Sequence, residues 1–367
     1  MFPGVGVSCI RPSRTSKQAH PTPGFYINLP IGAVSIGTLA FLFSPPSRPA
    51  EEHPILERTE KLDLIGAFLF IPSIVMVLLA LQWGGSKYPW RSATIIGLFL
   101  GFGGLLALFI AWQWYKGDNA MIPLRLLMKR TVIFSGLTVM CTLGGVFVPI
   151  YYLPEWFQVI KGASPTHSGV MNIPMFIAQI VSSVVSGVLV TKLGYANPWI
   201  FFGSAFVAIG NGLYTTMSGS TNHDRWISYQ VIQGLGSGMI AQMPLIAVQT
   251  VLSGPQTPIG ISIVTFFQFF GGSLFVAIAE TVFSSVLRSE LVKSAPGVDV
   301  AAVIAAGSAA VRHTVTPEQL PGVLGAFNKA ITSTFYVGVG GAVAAFLVGW
   351  GIEWKSVKGK KLGASEV

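Results

Sequence analysis

The stretch from Trp226 to Leu252 contains no Asp, Glu, Lys, Arg or His. At the α-helical rise of about 1.5 Å per residue, it is longer than the roughly 20 residues that cross the hydrocarbon core of a bilayer. It nevertheless carries four glutamines, and an amide surrounded by lipid loses its hydrogen bonds. The stretch therefore predicts a membrane-spanning helix whose amides face other helices or a wet cavity that a solute could use.

Hydropathy along the chain predicts an all-α, multi-pass membrane protein with a helical bundle of about nine transmembrane helices. Only 10% of the residues are charged, against about 25% in soluble domains. The predicted spans cover residues 25–43, 64–83, 93–114, 131–153, 169–191, 198–216, 226–252, 259–286 and 330–352.

Two segments outside the spans also have recognisable patterns. Residues 1–24 are polar and proline-rich, and we expect them to form a disordered leader. In the long connector before the last span, Thr316-Pro317-Glu318-Gln319 has the pattern of a capping box, which predicts a short surface helix there.

The charge pattern predicts an orientation and excludes several classes of function. The net charge of +9 does not indicate nucleic-acid binding, because the basic residues lie in short connectors between apolar runs. The lysine and arginine bias favours a cytoplasmic location for residues 44–63, 115–130, 192–197, 253–258 and 353–367. The chain shows no metal-ligand spacing, no phosphate-binding loop and no nucleophile elbow. We therefore expect no metal, no cofactor and no enzymatic activity.

Seven short segments follow one another in an informative order. They are Phe25-Tyr26-Ile27-Asn28-Leu29-Pro30-Ile31-Gly32, Leu62-Asp63-Leu64-Ile65-Gly66, Ile122-Pro123-Leu124-Arg125-Leu126-Leu127, Tyr151-Tyr152-Leu153-Pro154-Glu155-Trp156-Phe157-Gln158, Lys161-Gly162-Ala163-Ser164-Pro165, Gln249-Thr250-Val251-Leu252 and Phe266-Phe267-Gln268-Phe269-Phe270-Gly271-Gly272. In this order they resemble the fungal fourteen-span drug:proton antiporters of the major facilitator superfamily.

The resemblance implies a domain organisation in which the first five helices of that family are absent from this sequence. Residues 25–43 would be the last helix of the amino-terminal bundle, and 64–114 the two central linker helices. Residues 131–352 would form the carboxy-terminal six-helix bundle, and 353–367 a basic cytoplasmic tail. In this architecture the solute site lies between the two bundles.

The resemblance also implies a function, which is proton-coupled efflux of hydrophobic drugs or fungal toxins. The expected partners are small hydrophobic or amphipathic solutes, protons and the lipid bilayer. The expected location is the plasma membrane, with the vacuolar membrane as the alternative. The competing hypothesis is a truncated, non-transporting membrane protein that lacks the amino-terminal bundle.

Glu280 is predicted to couple transport to protons. It is the one carboxylate well inside a predicted span, roughly 12 Å from the membrane midplane by helical rise and so inside the hydrocarbon core. An acid at that depth is by default a functional residue, and it could carry a proton. The alternative is that the span is displaced and that Glu280 lies solvated at the outer interface.

Six amide side chains are predicted to bind the solute, all within predicted spans. They are Gln230, Gln233, Gln242, Gln268, Asn172 and Gln179. The alternative for the glutamines is hydrogen bonding between helices, since such bonds hold helices together in lipid. Asn172 precedes Pro174, so it could instead cap a helix or repair a kink there. Tyr151, Tyr152, Trp156 and Phe157 are expected to form an aromatic belt at the outer interface.

Overall fold

A computed structural model of the protein describes residues 28–42, 63–85, 87–117, 120–300, 302–304, 307, 311–312 and 315–358. The chain divides into two compact units, Met1–Lys61 and Leu62–Val367. The first unit contributes one described helix, α1 (Asn28–Leu42). The predicted leader, residues 1–24, and the end of the predicted tail, residues 359–367, lie outside the described residues.

The second unit is helical from one end to the other. Its helices are α2 (Leu64–Trp83), α3 (Ala93–Lys116), α4 (Leu124–Leu127), α5 (Arg130–Val159), α6 (Pro165–Met171), α7 (Ile173–Leu193), α8 (Asn197–Tyr214), α9 (His223–Ile240), α10 (Met243–Val251), α11 (Gln256–Ser294) and α12 (Leu320–Gly349). The described residues contain no β-strand, only an isolated bridge between Gly84 and Tyr88. The predicted all-α class is confirmed.

Seven helical segments in the described part of the chain are long and apolar enough to cross a bilayer. They correspond to seven of the nine predicted spans. The other two predicted spans are also helical, but they do not meet the same criteria. The described part of α1 has 15 residues, and in α8 the polar residues Asn197 and Asn211 lower the mean hydropathy of an 18-residue helix.

Two of the predicted spans are each interrupted next to a proline. The first is divided into α6 and α7 at Asn172, and Pro174 lies in the first turn of α7. The second is divided into α9 and α10 at Ala241 and Gln242, and Pro244 lies in the first turn of α10. Proline lacks the N–H of the helical ladder and disfavours helical backbone before it. Each break therefore leaves backbone carbonyls that need other hydrogen-bond donors.

Helix α5 lies at the centre of the second unit and packs against α11 and α12. Helix α9 packs against both α7 and α8, α8 also packs against α12, and α2 packs against α3 and α11. The contact between α7 and α9 is close because α9 carries glycine there. A Cβ atom on Gly238 would lie only 2.8 Å from the Ser182 Cβ and 2.8 Å from the Ser183 backbone nitrogen.

The last connector is shorter than the sequence predicts, because the helices on either side of it are longer. Helix α11 continues to Ser294, and α12 begins at Leu320. The predicted short surface helix after Thr316 is therefore wrong as a separate element. The Thr316 carbonyl accepts from the Gln319 and Leu320 backbone N–H groups, so this segment forms the first turn before α12.

The C-terminal ends of α5 and α11 and the N-terminal end of α12 meet in an apolar cluster that the connector covers. The cluster includes Val159, Leu291, Val303 and Phe327, all buried. Arg312 fixes the end of α5, because its Nε donates to the Val159 carbonyl at 2.9 Å and its Nη2 to the Ile160 carbonyl at 2.8 Å. A cation at a helix C-terminus satisfies free carbonyls and opposes the negative end of the helix dipole.

Asp63 organises the opposite ends of α2 and α3. Its carboxylate accepts four hydrogen bonds, from Gly66 N at 3.0 Å, Trp112 Nε1 at 2.8 Å, Gln113 Nε2 at 3.0 Å and Met121 N at 3.1 Å. Burial alone would raise the pKa of Asp63, but these bonds stabilise the charged form and hold the pKa below its usual value. The carboxylate therefore ties α2, α3 and the following connector together.

Candidate functional site

The Glu280 side chain is held by a residue from a second helix. It lies in α11 and is exposed on the surface of the second unit. The Tyr152 hydroxyl, from α5, donates a hydrogen bond of 2.8 Å to Glu280 Oε2. One residue further along α11, Thr281 donates to the Leu81 carbonyl of α2 at 3.2 Å. The carboxylate is thus placed where α11 passes both α5 and α2.

A second carboxylate, which hydropathy did not place in a span, lies on the same helix as Tyr152. Glu155 is one helical turn beyond Tyr152 on α5 and is half-buried. The predicted span ended at residue 153, before Pro154, whereas α5 continues through this proline to Val159. The signal that could have found Glu155 is its spacing of three from Tyr152, which puts both on one helix face.

The aromatic residues around this position are packed inside the protein. The expectation of an outer aromatic belt is wrong for Tyr152, Trp156 and Phe157, which are buried, while Tyr151 is 44% exposed. Trp156 Nε1 donates to Asn328 Oδ1 at 2.8 Å, and the Tyr152 and Phe283 rings lie 5.6 Å apart. Because α5 continues past the predicted boundary, this turn of the helix packs against α11 and α12 instead of ending at the interface.

Gln230 and Gln233 are both fully buried on α9. Gln230 Nε2 donates to the Met171 carbonyl at 2.9 Å. That carbonyl is free because, at the break between α6 and α7, the Met175 N–H donates to Asn172 instead. Gln230 therefore takes the alternative role of joining two helices. Neither amide atom of Gln233 has a hydrogen-bond partner within the described part of the chain.

Gln242 and Gln268 are placed differently from the two buried glutamines. Gln242 is exposed at the break between α9 and α10, and Gln268 is half-buried in α11. The Phe266 and Phe270 rings stack 5.6 Å apart, and Phe266 lies 4.9 Å from Phe70. By helical spacing Gln268 lies on the other side of α11 from this stacked pair. Both amides are therefore open to a ligand in a way that Gln230 is not.

Asn172 and Gln179 differ in their surroundings. Asn172 is buried at the break, where its Nδ2 donates to the Ser168 carbonyl at 2.9 Å and its Oδ1 has no partner among the described residues. It repairs the break, as its alternative interpretation held. Gln179 is half-buried on α7. The structure thus does not bring the six predicted amides into one cluster.

The described residues include no group of three or more His, Cys, Asp or Glu side chains that could hold a metal ion. An apolar crevice of about 380 Å³ lies between α7 and α9 and is lined by residues such as Pro174, Ile177 and Leu235. It contains none of the predicted amides.

The family model described as "Fungal trichothecene efflux pump (TRI12)" matches residues 4–310. The chain belongs to this family. The predicted membership of a fungal efflux family in the major facilitator superfamily is thereby confirmed. Together with the seven apolar helical segments, it identifies a multi-pass membrane protein.

Curated relatives of this chain are named as transporters or efflux pumps. "MFS-type transporter poxA" of Penicillium oxalicum is 46% identical over 347 residues, which cover 91% of this chain and 61% of the relative. "MFS-type efflux pump MFS1" of Arthroderma benhamiae is 44% identical, covering 92% of this chain and 63% of the relative. "Efflux pump roqT" of Penicillium rubens is 42% identical, covering 91% and 62%. The chain thus spans about three fifths of the length of these relatives.

Proposed function

We propose that the chain takes part in proton-coupled efflux of small hydrophobic or amphipathic solutes, of the kind that includes fungal toxins, across the plasma membrane. The observation that carries this proposal is the Glu280 carboxylate, which lies within a membrane-length helix and is held by the Tyr152 hydroxyl at 2.8 Å. Ionisable groups inside membrane helices mark ion and proton pathways. Names of relatives as transporters and efflux pumps support the same function.

The solute in this proposal meets α11. Gln268 offers one half-buried amide on α11, a helix that also carries Phe266, Phe267 and Phe270, and this composition favours an apolar solute with a few polar groups. Gln242, which is exposed, is a second amide for the solute. Gln233 and Gln179 remain proposed contacts, and Gln233 has the further support of a buried amide without a partner. Gln230 and Asn172 are proposed with less support, because each already bonds a backbone carbonyl.

The proposal is tested with this chain reconstituted into vesicles. The measurement is the movement of a fluorescent hydrophobic dye when a pH gradient is imposed and then collapsed with a protonophore. We expect gradient-driven transport in the wild type and a loss of at least tenfold in Glu280→Gln. The matched control is Glu290→Gln, because Glu290 lies on the same helix but pairs with Lys293 at 3.1 Å. Equal transport with and without the gradient would disprove the coupling.

A further inference from the structure

We propose that a cavity at the C-terminal end of α5 binds a small organic carboxylate, an anion that carries an apolar body. The cavity has a volume of about 430 Å³ and lies where the end of α5, helix α6 and the start of α9 meet. Its lining includes Lys161, Ser164, His167, Met171 and His223. The inference does not rest on the proposed function, because none of the residues proposed for transport lines this cavity.

The polar side chains that line the cavity can all donate hydrogen bonds, and none of them is a carboxylate. Lys161 carries an ammonium group, Ser164 carries a hydroxyl, and an imidazole offers at least one N–H. His167 and His223 are the two histidines of the described residues, and both line this cavity. An anion with acceptor oxygens matches such a wall, since charge-assisted hydrogen bonds are the strong ones.

Lys161 is held in place without an acidic partner. Its Nζ donates to the Gly219 carbonyl at 2.9 Å and to the Thr221 carbonyl at 2.8 Å, and it lies 5.4 Å from the centre of the Trp156 ring. An ammonium group has three N–H donors, so one remains for a ligand. None of the ion pairs among the described residues includes Lys161. A cation that is already ordered loses little side-chain entropy when a ligand binds.

Two further features favour negative charge in the cavity. Gly162 lines it, and a Cβ atom on Gly162 would lie 3.4 Å from Arg312 Cζ, so the guanidinium contacts this part of the wall. Helix α9 begins at His223, and the positive end of a helix dipole attracts an anion. Asp224, in the same turn, is exposed and does not line the cavity. The fixed charges at the wall itself are therefore positive.

The apolar part of the lining indicates that the anion has an organic body. Met171 is buried and Ala163 is half-buried at the cavity. Pockets for small organic molecules have volumes of about 300–1,000 Å³ and combine apolar walls with a few polar groups. An inorganic anion would leave the Met171 side chain without a contact. A metal ion fits less well, because the described residues include no group of three possible metal ligands among His, Cys, Asp and Glu.

The test measures the binding of radiolabelled benzoate to the purified chain in an uncharged detergent, by equilibrium dialysis. Benzamide is the matched neutral probe, because it has the same ring without the charge. Acetate has the charge without the ring. We expect saturable binding of one benzoate per chain and no saturable binding of benzamide. Acetate should compete at least about tenfold more weakly than unlabelled benzoate, since it buries less apolar surface.

Ser164 offers a variant that changes the charge of the cavity and keeps the helix start. It is the N-cap of α6, and its Oγ accepts from the His167 N–H at 3.2 Å. Aspartate and asparagine are both good N-caps. Ser164→Asp should weaken benzoate binding at least about tenfold through repulsion between like charges. Ser164→Asn, which has the same size without the charge, should bind benzoate as the wild type does.

A second pair of variants removes a lysine inside or outside the cavity. Lys161→Gln should weaken benzoate binding about tenfold, because it removes a charged donor. Lys329→Gln removes an exposed lysine of α12 that does not line the cavity, and it should leave binding unchanged. If Lys161→Gln does not fold, because the Gly219 and Thr221 carbonyls lose their donor, the comparison of Ser164→Asp with Ser164→Asn decides alone.

The outcomes separate this inference from the proposed efflux. Equal binding of benzoate and benzamide, unchanged binding in Ser164→Asp, or no saturable binding to the wild type would each overturn the carboxylate site. Acetate that competes as well as benzoate would overturn the organic body. Dye movement that does not depend on the pH gradient would count against the proposed efflux and would leave the carboxylate site standing.

Discussion

Gln230 and Gln233 lie three residues apart on α9 and are both fully buried, yet only Gln230 has a hydrogen-bond partner among the described residues. The difference comes from the neighbouring helix. The break at Asn172 frees the Met171 carbonyl at the level of Gln230 and leaves no such acceptor for Gln233. The backbone opposite a glutamine in a membrane helix thus decides whether its amide has a partner within the protein.

This difference predicts opposite effects for the same substitution. Gln230→Leu should lower stability by roughly 1–3 kcal/mol, because it leaves the buried Met171 carbonyl without a donor. Gln233→Leu should leave stability unchanged or raise it, since it removes an amide that has no partner. Thermal unfolding of the two purified variants in one detergent measures this. The same loss in both would contradict the assignment.

The sequence indicated which side chains are chemically unusual, but it did not indicate which groups they would contact. Glu280 could be predicted as a special acid, because charge is rare in an apolar run. Glu155 was missed, because the predicted span ended at residue 153, whereas helices in lipid continue through a proline when neighbours supply donors. Which of the amides meets a free carbonyl depends on the register between helices, which hydropathy does not contain.

At the level of helices, the interface between α7 and α9 depends on backbone contact. Gly238 has the Ser182 and Ser183 atoms at distances that leave no room for a Cβ atom. Small residues allow this approach, and packing is the main attraction between helices in lipid. The Ser182 hydroxyl adds a hydrogen bond of 2.6 Å to the Leu235 carbonyl across the same interface.

Gly238→Ala should therefore push α9 away from α7 and destabilise the protein by about 1–3 kcal/mol, the usual cost of overpacking. The matched control is Gly187→Ala on α7, where an added Cβ meets nothing within 4 Å. That variant should be as stable as the wild type. Denaturant or thermal unfolding of both compares them, and an unaffected Gly238→Ala would show that the helices separate freely.

The Asp63 carboxylate holds α2, α3 and the connector together by hydrogen bonds whose contribution to stability depends on pH. Its pKa in the folded protein lies below the unfolded value of about 3.9. The stabilisation is therefore fully present above that value and is lost as the pH falls through the lower, folded pKa. Asparagine cannot replace it, because its NH₂ group would face the donors from Gln113 and Met121.

We expect Asp63→Asn to lower stability by about 1–3 kcal/mol at neutral pH, the range for hydrogen bonds to a charged group. The gap between wild type and variant should narrow below about pH 4. Melting temperatures between pH 3 and pH 7 measure it. Asp224→Asn, a change at an exposed helix start, serves as the control. A gap that stays constant with pH would contradict the ionised network.

For the whole molecule, hydropathy predicted the helices well because lipid imposes length and composition on a span. It failed where helices leave the membrane, since no such constraint acts there. Helix α11 ends eight residues later than predicted, at Ser294, and α12 begins ten residues earlier, at Leu320. The breaks at Asn172 and Gln242 lie next to prolines. A proline in the sequence marks where a helix can break, but it does not give the direction in which the next helix continues.

The charge bias predicts the sidedness of the described connectors. Ser220, before α9, should face the outside, and Ser253, after α10, should face the cytoplasm; both are exposed. The variants Ser220→Cys and Ser253→Cys, made with Cys9 replaced by serine and Cys141 retained, can be labelled in intact cells with a membrane-impermeant maleimide. Only the first should react. Cys141 is buried and serves as an internal negative control. Labelling of Ser253→Cys alone would reverse the orientation.

The 39 residues of α11 correspond to about 58 Å of helix, against a hydrocarbon core of roughly 30 Å. The predicted orientation would place the excess beyond the lipid on the outer side, where Arg312 and the apolar cluster lie at the ends of α5, α11 and α12 and form a projection with it. An antibody fragment raised against this projection could bind the protein from outside without entering the membrane. Bound there, it would fix the position of α11, the helix that carries Glu280.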